Sequence, residues 1–215
     1  MEFKDIVQER RSIRSYEIDV PIGDAELADL FDLVALSPSS YNLQHWNFIA
    51  VRNAETKQKM RAAAWGQPQV EESSVAILVS GKLNGFEDAP RIYEEVPEEM
   101  RADALDMIQG FYAENKQAQR DEAIRSASLA SMSLMYAAQD AGFSTCAMIG
   151  FDAAEIAALL NLPDNYLPVM LIVLGRGKGA SFPRAYRKPL EEIVKLDRFD
   201  GAGLQGHNVH AVLGR

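Results

Sequence analysis

Two short polar segments near the N-terminus carry residue types that could bind opposite ends of one small molecule. The first, residues 9–16, places Arg10, Arg11 and Arg14 around the hydroxyl of Ser12. Guanidinium groups bind phosphate through paired, charged hydrogen bonds, and each such bond contributes about 1.5–3 kcal/mol. The alternative is a solvated basic patch at the end of the first helix. The spacing alone does not separate these two interpretations.

The second segment, residues 37–46, offers neutral hydrogen-bonding groups instead of charge. Its sequence is Ser-Pro-Ser-Ser-Tyr-Asn-Leu-Gln-His-Trp. A loop that leads into a strand would explain the Ser-Pro-Ser-Ser run. It would not explain the amides, imidazole and indole that follow at once. Hydroxyls and amides beside aromatic rings suit a flat ring with alternating donors and acceptors, so the two segments together favour a ligand with a phosphate and a polar ring.

The composition is that of an ordinary globular protein with a negative net charge. The 215 residues include 31 acidic and 22 basic ones, which gives a formal charge of −9 at pH 7. We therefore expect no general affinity for nucleic acid or for an anionic membrane. Cys146 is the only cysteine, so no internal disulfide can form. The N-terminal residues lack the order of a signal peptide, which predicts a cytoplasmic protein.

The apolar pattern predicts one domain over residues 1–198, followed by a C-terminal tail over 199–215. Helical spacing follows Asp24, the expected N-cap, and a long helical region spans residues 98–140 with an interruption near Gly110. Further short apolar runs predict strands at residues 47–51, 75–80, 143–149 and 168–174. Helices and strands mix without strict alternation, so the predicted fold class is α+β.

Small residues dominate the second half of the long helical region. Between Ala127 and Ala138 most positions are alanine or serine. Small side chains let a helix approach its neighbours closely. We therefore expect this helix to be central to the fold.

The two polar segments and three later motifs resemble the flavin-binding signature of the nitroreductase family. In chain order the motifs are Arg-Arg-Ser-Ile-Arg, Ser-Pro-Ser-Ser-Tyr-Asn-Leu-Gln-His-Trp, Gly-Gln-Pro-Gln-Val, Ile-Gly-Phe and Tyr-Arg-Lys-Pro-Leu, within residues 3–195. The chain is similar to bacterial NAD(P)H nitroreductases of the Gln-His-Trp type. The resemblance implies a nitroreductase-like fold, with a mostly antiparallel central sheet flanked by helices. It also implies an intertwined homodimer that holds FMN non-covalently at its interface.

The resemblance further implies which residues bind the cofactor. They are Arg10, Arg11, Ser12, Arg14, Pro38, Ser39, Ser40, Asn42, Gln67, Gln69, Ile149, Gly150 and Arg187. Arg10, Ser12 and Arg187 would hold the phosphate and ribityl end. Arg14 would lie near the N1–C2 edge of the ring, where a permanent positive charge favours reduction.

The remaining candidates would surround the flavin ring. The four from residues 37–46 would come from the partner subunit. Gln67 and Gln69 match a stretch whose amides contact the pyrimidine edge in the family. Ile149 and Gly150 would direct backbone N–H groups at N5, with Gly150 allowing close approach because it has no Cβ. The hydride chemistry would then belong to the flavin, and no side chain is predicted to be catalytic in its own right.

The chain departs from the family pattern at two positions. Some relatives have asparagine where Gly66 aligns, so Gln67 or Gln69 would have to supply that contact. Others have lysine at the position of Ala185, for which Lys188 or Arg184 would have to compensate. The sequence leaves both substitutions open.

Other candidate motifs favour simpler explanations. The Gly-rich run at 175–179 lacks the spacing of a dinucleotide fingerprint. His207 and His210 have no nearby cysteine or carboxylate cluster that would complete a metal site. Cys146 lies in an apolar segment, which favours packing over nucleophilic chemistry.

The resemblance implies an oxidoreductase that passes hydride from NADH or NADPH, through flavin N5, to nitroaromatic or quinone acceptors by a ping-pong mechanism. A specialised dehalogenase, dehydrogenase or flavin-fragmenting enzyme on the same scaffold is one alternative. A flavin-binding protein without turnover is another. Phe111 and Tyr112 would either line the substrate channel or pack in the core. The sequence does not identify the acceptor, the preferred nucleotide or the role of the tail.

Overall fold

A computed structural model describes residues 1–179 and 181–207 of the chain. The chain divides into two compact units, of which the first is Met1–Gly179 and the second follows it. The expected boundary at residue 198 remains a prediction.

The first unit is built around a four-stranded sheet. The strands are β1 (Trp46–Val51), β2 (Val75–Lys82), β3 (Ser144–Met148) and β4 (Tyr166–Gly175). The helices are α1 (Phe3–Glu9), α2 (Asp24–Val34), α3 (Ala54–Ala63), α4 (Gln69–Glu72), α5 (Ala89–Ile92), α6 (Glu98–Tyr112), α7 (Lys116–Asp140) and α8 (Ala153–Leu159). The strand order is β1-β2-β4-β3, and every neighbouring pair is antiparallel. The predicted α+β class and antiparallel sheet are confirmed.

The two central strands are buried on both faces because their sequences are almost wholly apolar. On β2, Ile77 and Val79 belong to the core beneath α2 and α7, whereas Ala76 and Leu78 belong to the core beneath α3 and α8. This alternation follows from the period of two along a strand. β1 and β3 are therefore left as the opposite edges of the sheet.

Helix α7 packs directly on the sheet, as its small residues predict. Ala127 and Ala130 are fully buried against β2 and β4. The approach is so close that a Cβ on Gly81 of β2 would lie 2.5 Å from the carbonyl oxygen of Ala123. A glycine at position 81 therefore permits this helix-to-sheet distance.

Two helix boundaries differ from the predictions. Asp24 is not the N-cap of α2; that position belongs to Gly23, whose N–H donates to the Glu26 carboxylate at 2.9 Å. Asp24 instead lies in the first turn of α2, where its negative charge interacts favourably with the helix dipole. The break between α6 and α7 follows Tyr112 rather than Gly110, because the Asn115 side chain caps α7 by accepting the N–H of Ala118 at 3.0 Å.

The second unit contains α9 (Leu190–Ile193) and a short bridge between Lys195 and Gly203. Residues 208–215, the greater part of the predicted tail, lie outside the described residues. Across the parts of the chain that are described, no helix has both the length and the apolar character needed to cross a bilayer.

Candidate functional site

The arginine-rich segment lies along the β3 edge of the sheet. Ser12 forms an isolated parallel bridge with Thr145, and the N–H of Ile13 donates to the Thr145 carbonyl at 3.0 Å. Tyr16 is buried and donates its hydroxyl to the Ile13 carbonyl at 2.9 Å. These bonds hold the backbone of the arginine-rich segment against β3.

Arg10, Ser12 and Arg14 all influence one buried residue of β3, Cys146. Burial raises the pKa of the Cys146 thiol, while the charge of Arg14, a hydrogen bond with Ser12 and the charge of Arg10 oppose that rise. Ser12 is thus within hydrogen-bonding reach of the thiol, and both arginines contribute positive charge at this part of β3. Among the described residues, neither Arg10 nor Arg14 forms an ion pair. In a protein of net charge −9, two guanidinium groups without acidic partners form a local site for an anion.

A hydrogen-bonded chain of two glutamines connects the end of α3 with the end of β3. The Gln67 side-chain amide donates to the carbonyls of Gly150, at 2.7 Å, and Ala64, at 3.1 Å. Its oxygen accepts a hydrogen bond from the amide of Gln69 at 3.0 Å, and the same Gln69 amide contacts the Met148 sulfur at 3.2 Å. Both amide hydrogens of Gln67 are therefore used within the protein, and the predicted contact of these glutamines with a pyrimidine edge remains a prediction.

The turn after β3 is held from two sides. The N–H of Asp152 donates to the Ala63 carbonyl at 2.9 Å, and the indole of Trp65 lies against Gly150. A Cβ on Gly150 would lie 3.2 Å from Cζ3 of Trp65. Ile149 is 81% exposed, and Gly150 is partly exposed. The turn at positions 149 and 150 is thus restrained by these contacts and open to solvent on one side. We call Arg10, Ser12, Arg14, Gln67 and Gly150 the β3 cluster.

The segment at residues 37–46 lies on the opposite side of the sheet. It leads into β1, which is separated from β3 by β2 and β4; three strand spacings correspond to about 14 Å. Its anchors are on α6 and α7: Ser37 donates to Ser133 at 2.7 Å, and Tyr112 donates to Ser40 at 3.0 Å. Pro38 and Asn42 are exposed. The predicted site residues therefore form two separate groups within one chain.

The backbone of this loop is held in an unfavourable conformation. Tyr41, Asn42 and Gln44 have φ values of 51°, 54° and 49°, in the left-handed region. Only asparagine among them tolerates that region readily. The Ser39 hydroxyl accepts the N–H of Gln44 at 2.9 Å, and the Tyr41 carbonyl accepts the Tyr93 hydroxyl at 3.1 Å. Surrounding contacts thus impose this loop shape, which the sequence did not indicate.

Three aromatic residues that the sequence singled out have different surroundings. His45 is buried, with Nδ1 2.9 Å from the Lys82 carbonyl, and burial lowers its pKa. A carbonyl partner requires Nδ1 to carry the proton in the neutral ring. Tyr112 packs in the core, whereas Phe111 on the same helix is 54% exposed. The sequence left open whether Phe111 and Tyr112 line a substrate channel or pack in the core. Of these two residues, only Phe111 faces outward.

The glycine run at the end of β4 has a packing role. Gly177 pairs with Tyr16, and a Cβ there would lie 2.6 Å from the Ser144 hydroxyl. Cys146 is buried, as expected. Within residues 1–179 and 181–207, no three His, Cys, Asp or Glu side chains are grouped so as to hold a metal ion. His207 is exposed, and His210 lies outside the described residues.

Arg187 belongs to the second unit of the chain. Its guanidinium donates to the carbonyls of Ala185 and Tyr186, at 3.1 Å each. Its expected role at the phosphate end of the cofactor remains a prediction, as does compensation by Arg184 or Lys188.

Comparison with known proteins identifies the class to which this fold and site belong. Residues 7–176 match the model of the nitroreductase family. The chain is 39% identical over 202 residues to the Bacillus subtilis protein named "Putative NAD(P)H nitroreductase MhqN", covering 90% of this chain and 98% of that one. The chain therefore belongs to the nitroreductase family, and the resemblance noted from its motifs is confirmed.

Solved structures agree with this assignment. A nitroreductase structure from B. subtilis, 39% identical, matches with a TM-score of 0.88 over 90% of this chain and 98% of that one. A structure from Exiguobacterium sibiricum, described as a nitroreductase in complex with FMN, matches with a TM-score of 0.86 at 32% identity, over 92% and 98% of the two chains. The nitroreductase-like fold is confirmed.

Proposed function

We propose that the protein is an FMN-dependent oxidoreductase that uses NADH or NADPH, and that two chains build each active site. Family membership, relatives named NAD(P)H nitroreductases and an FMN-containing structural neighbour support this proposal. The proposal depends mainly on the β3 cluster. It brings together, beside one edge strand, two guanidinium groups that have no acidic partner among the described residues and a restrained, partly exposed backbone turn.

The residues of the β3 cluster fit FMN. Arg10, Ser12 and Arg14 all influence Cys146, and Gly150 follows Cys146 four residues later, which is about 13 Å along an extended chain. A phosphate and a ring of one cofactor can therefore reach both groups. When bound, FMN supplies the redox chemistry, in which hydride from NADH or NADPH enters at N5 and electrons pass to a nitroaromatic or quinone acceptor in a ping-pong cycle.

The protein contributes charge and rigidity to that chemistry. Arginine is the side chain that keeps its positive charge in proteins, so Arg14 would supply a fixed charge throughout the reaction. Gln67 holds the carbonyl of Gly150, and the Asp152–Ala63 bond holds the other end of the turn. The N–H groups at positions 149 and 150 thus belong to a backbone that cannot rotate away. Fixed dipoles of this kind stabilise developing charge without reorganisation.

The loop at residues 37–46 supports the proposal of a composite site in a homodimer. It presents Pro38, Ser39, Ser40 and Asn42 about three strand spacings from the β3 cluster of its own chain. A neighbouring chain related by two-fold symmetry would bring a second copy of this loop to the cluster. Closed two-fold dimers are the commonest form of soluble oligomer.

The direct test is an absorbance spectrum followed by anaerobic titration. The purified protein should be yellow, or become so with added FMN, and should bleach when NADH or NADPH is added. Binding of FMN without bleaching by either nucleotide would indicate a carrier. Absence of binding, in a monomer incubated with excess FMN, would refute the proposal. A panel of quinone, nitroaromatic and halogenated acceptors would then separate a general reductase from a specialised one.

A further inference from the structure

Glu122, on α7, is a buried carboxylate that none of the predicted roles uses. Only 3% of its side chain is exposed, and among the described residues it is the one acidic side chain in the buried set. A carboxylate away from water is unfavourable unless several donors surround it. Its partners therefore indicate what the residue does.

Two of these partners lie on the same helix, and the third does not. The Ser126 hydroxyl donates to Oε1 at 2.6 Å, and Arg125, itself 61% exposed, pairs with Oε2. The backbone N–H of Ser40 also points to Oε1, at 3.4 Å. The interactions of Glu122 with Ser126 and Arg125 could form on an isolated helix. The contact with Ser40 is the one that joins α7 to the loop at residues 37–46.

Ser40 receives a second hydrogen bond from the same part of the core. The hydroxyl of Tyr112, which is 1% exposed, donates to the Ser40 side chain at 3.0 Å. Tyr112 is held in turn by Gln119, whose buried amide donates to the Tyr112 carbonyl at 2.7 Å. Helices α6 and α7 thus bind both the backbone and the side chain of one loop residue.

The neighbouring backbone explains why such support is needed. Tyr41, Asn42 and Gln44 follow Ser40 directly in left-handed conformations that only surrounding contacts can maintain. We propose that Glu122 is a positioning residue, which holds Ser40 and so fixes the loop that presents Ser39 and Asn42 to the flavin of the partner subunit. This inference rests on the proposed function for its purpose, but the loop shape can be tested without FMN.

The test compares Glu122→Gln and Tyr112→Phe with a matched control, Glu114→Gln, which makes the same chemical change at an exposed position between α6 and α7. Hydrogen–deuterium exchange of the apoprotein reports the loop directly. We expect faster exchange over residues 39–44 in both variants and unchanged exchange in β2. In the FMN titration we expect the Kd to rise about tenfold for Glu122→Gln, with the control equal to the parent.

Each outcome decides between a positioning role and a merely structural one. Unchanged exchange at residues 39–44 in both variants would overturn the positioning role whatever the flavin does. Faster exchange with an unchanged FMN Kd would overturn the link to the flavin site. A lower melting temperature alone, with neither effect, would make Glu122 only structural. If Glu122→Gln does not fold, Tyr112→Phe, which keeps the buried ring, tests whether the other hydrogen bond to Ser40 fixes the same loop, and unchanged exchange there would overturn support of the loop through Ser40. A parent protein that binds no FMN would refute the proposed function, while the exchange data still test the loop.

Discussion

The β3 cluster and the loop at residues 37–46 are both polar, but they are built in different ways. The β3 cluster uses ordinary backbone pairing: Ser12 and Ile13 bond to β3, and Gln67 bonds to the Gly150 carbonyl. The loop has three non-glycine residues in left-handed conformations and depends on side chains of α6 and α7.

This difference indicates what each region would contribute to cofactor binding. The β3 cluster offers charge and N–H groups on a restrained backbone, and none of its five residues has a left-handed conformation. The loop presents only small neutral groups such as Ser39 and Asn42, and their position matters more than their charge. Residues held in unfavourable conformations cost about 1–3 kcal/mol each and tend to occur at functional sites. We therefore expect substitutions at the ring end of the cluster, at Arg14 and Gln67, to change rates, and substitutions of the residues that support the loop to change binding.

The largest expected effect comes from Arg14→Ala. If the permanent charge of Arg14 lies beside the ring as proposed, its removal should slow flavin reduction by NADH or NADPH on the order of 10²-fold, because transition-state charge loses its partner. FMN content should stay close to that of the parent. Stopped-flow bleaching of the flavin absorbance measures the rate, and Arg14→Lys, which keeps a charge, should lose less.

Arg187→Ala provides the contrast to Arg14→Ala. Loss of this residue should weaken FMN binding and leave the reduction rate of the flavin-loaded protein largely unchanged. Equal flavin content and equal reduction rates in both variants and the parent would contradict the two assignments.

A smaller effect is expected for Gln67→Leu. The substitution keeps the side-chain size but removes the donor to the Gly150 carbonyl, so the turn after β3 loses one of its supports. Flavin reduction should slow by about tenfold, which corresponds to about 1.4 kcal/mol of barrier. Gln117→Leu, at an exposed position of α7, is the matched control. A rate equal to that of the control would show that Gln67 does not position the turn.

The smallest expected effect concerns His45, the buried imidazole near the end of the loop at residues 37–46. Burial lowers its pKa in the folded state, whereas in the unfolded chain the value is about 6.5. The unfolded state therefore binds more protons below that pH, and the free energy of unfolding should fall as pH decreases, by up to about 1.4 kcal/mol per unit. This loss should stop once the pH is below the folded-state pKa.

Urea unfolding at pH 7.5 and 5.5 measures this dependence as a difference between variants. His45→Gln should lose part of the pH dependence seen in the parent. His207→Gln, at an exposed position, should keep all of it. Identical slopes in the three proteins would show that His45 is not buried as a neutral ring.

Much of the fold could be predicted from the chain because its signals are local. The apolar runs that became β2 and β4 and the small residues of α7 follow directly from period and size. The N-cap of α2 was predicted wrongly, because Asp24 is the stronger capping residue by type, while Gly23 takes the position with Glu26 reaching back. Such choices are settled by backbone conformation, which the residue types do not fix.

The site was predicted less completely for a related reason. Gln67 was predicted to contact the cofactor, but its bonds to Gly150 and Ala64 depend on how two distant turns pack. Glu122 was missed altogether, because it lies in a strongly polar stretch of α7 that looks solvated. It is buried by a loop 82 residues away in the chain. Contacts of that range leave no periodic signal in the sequence.

The central claim, that two chains share each flavin site, is tested most directly by subunit complementation. One variant carries Arg14→Ala in the β3 cluster, and the other carries Ser39→Ala with Asn42→Ala in the loop. If each site combines the cluster of one chain with the loop of its partner, a mixed dimer has one intact site. Co-refolding of equal amounts should then restore up to about a quarter of the parent activity. Activity no higher than the average of the two variants alone would place the whole site within one chain and contradict the account.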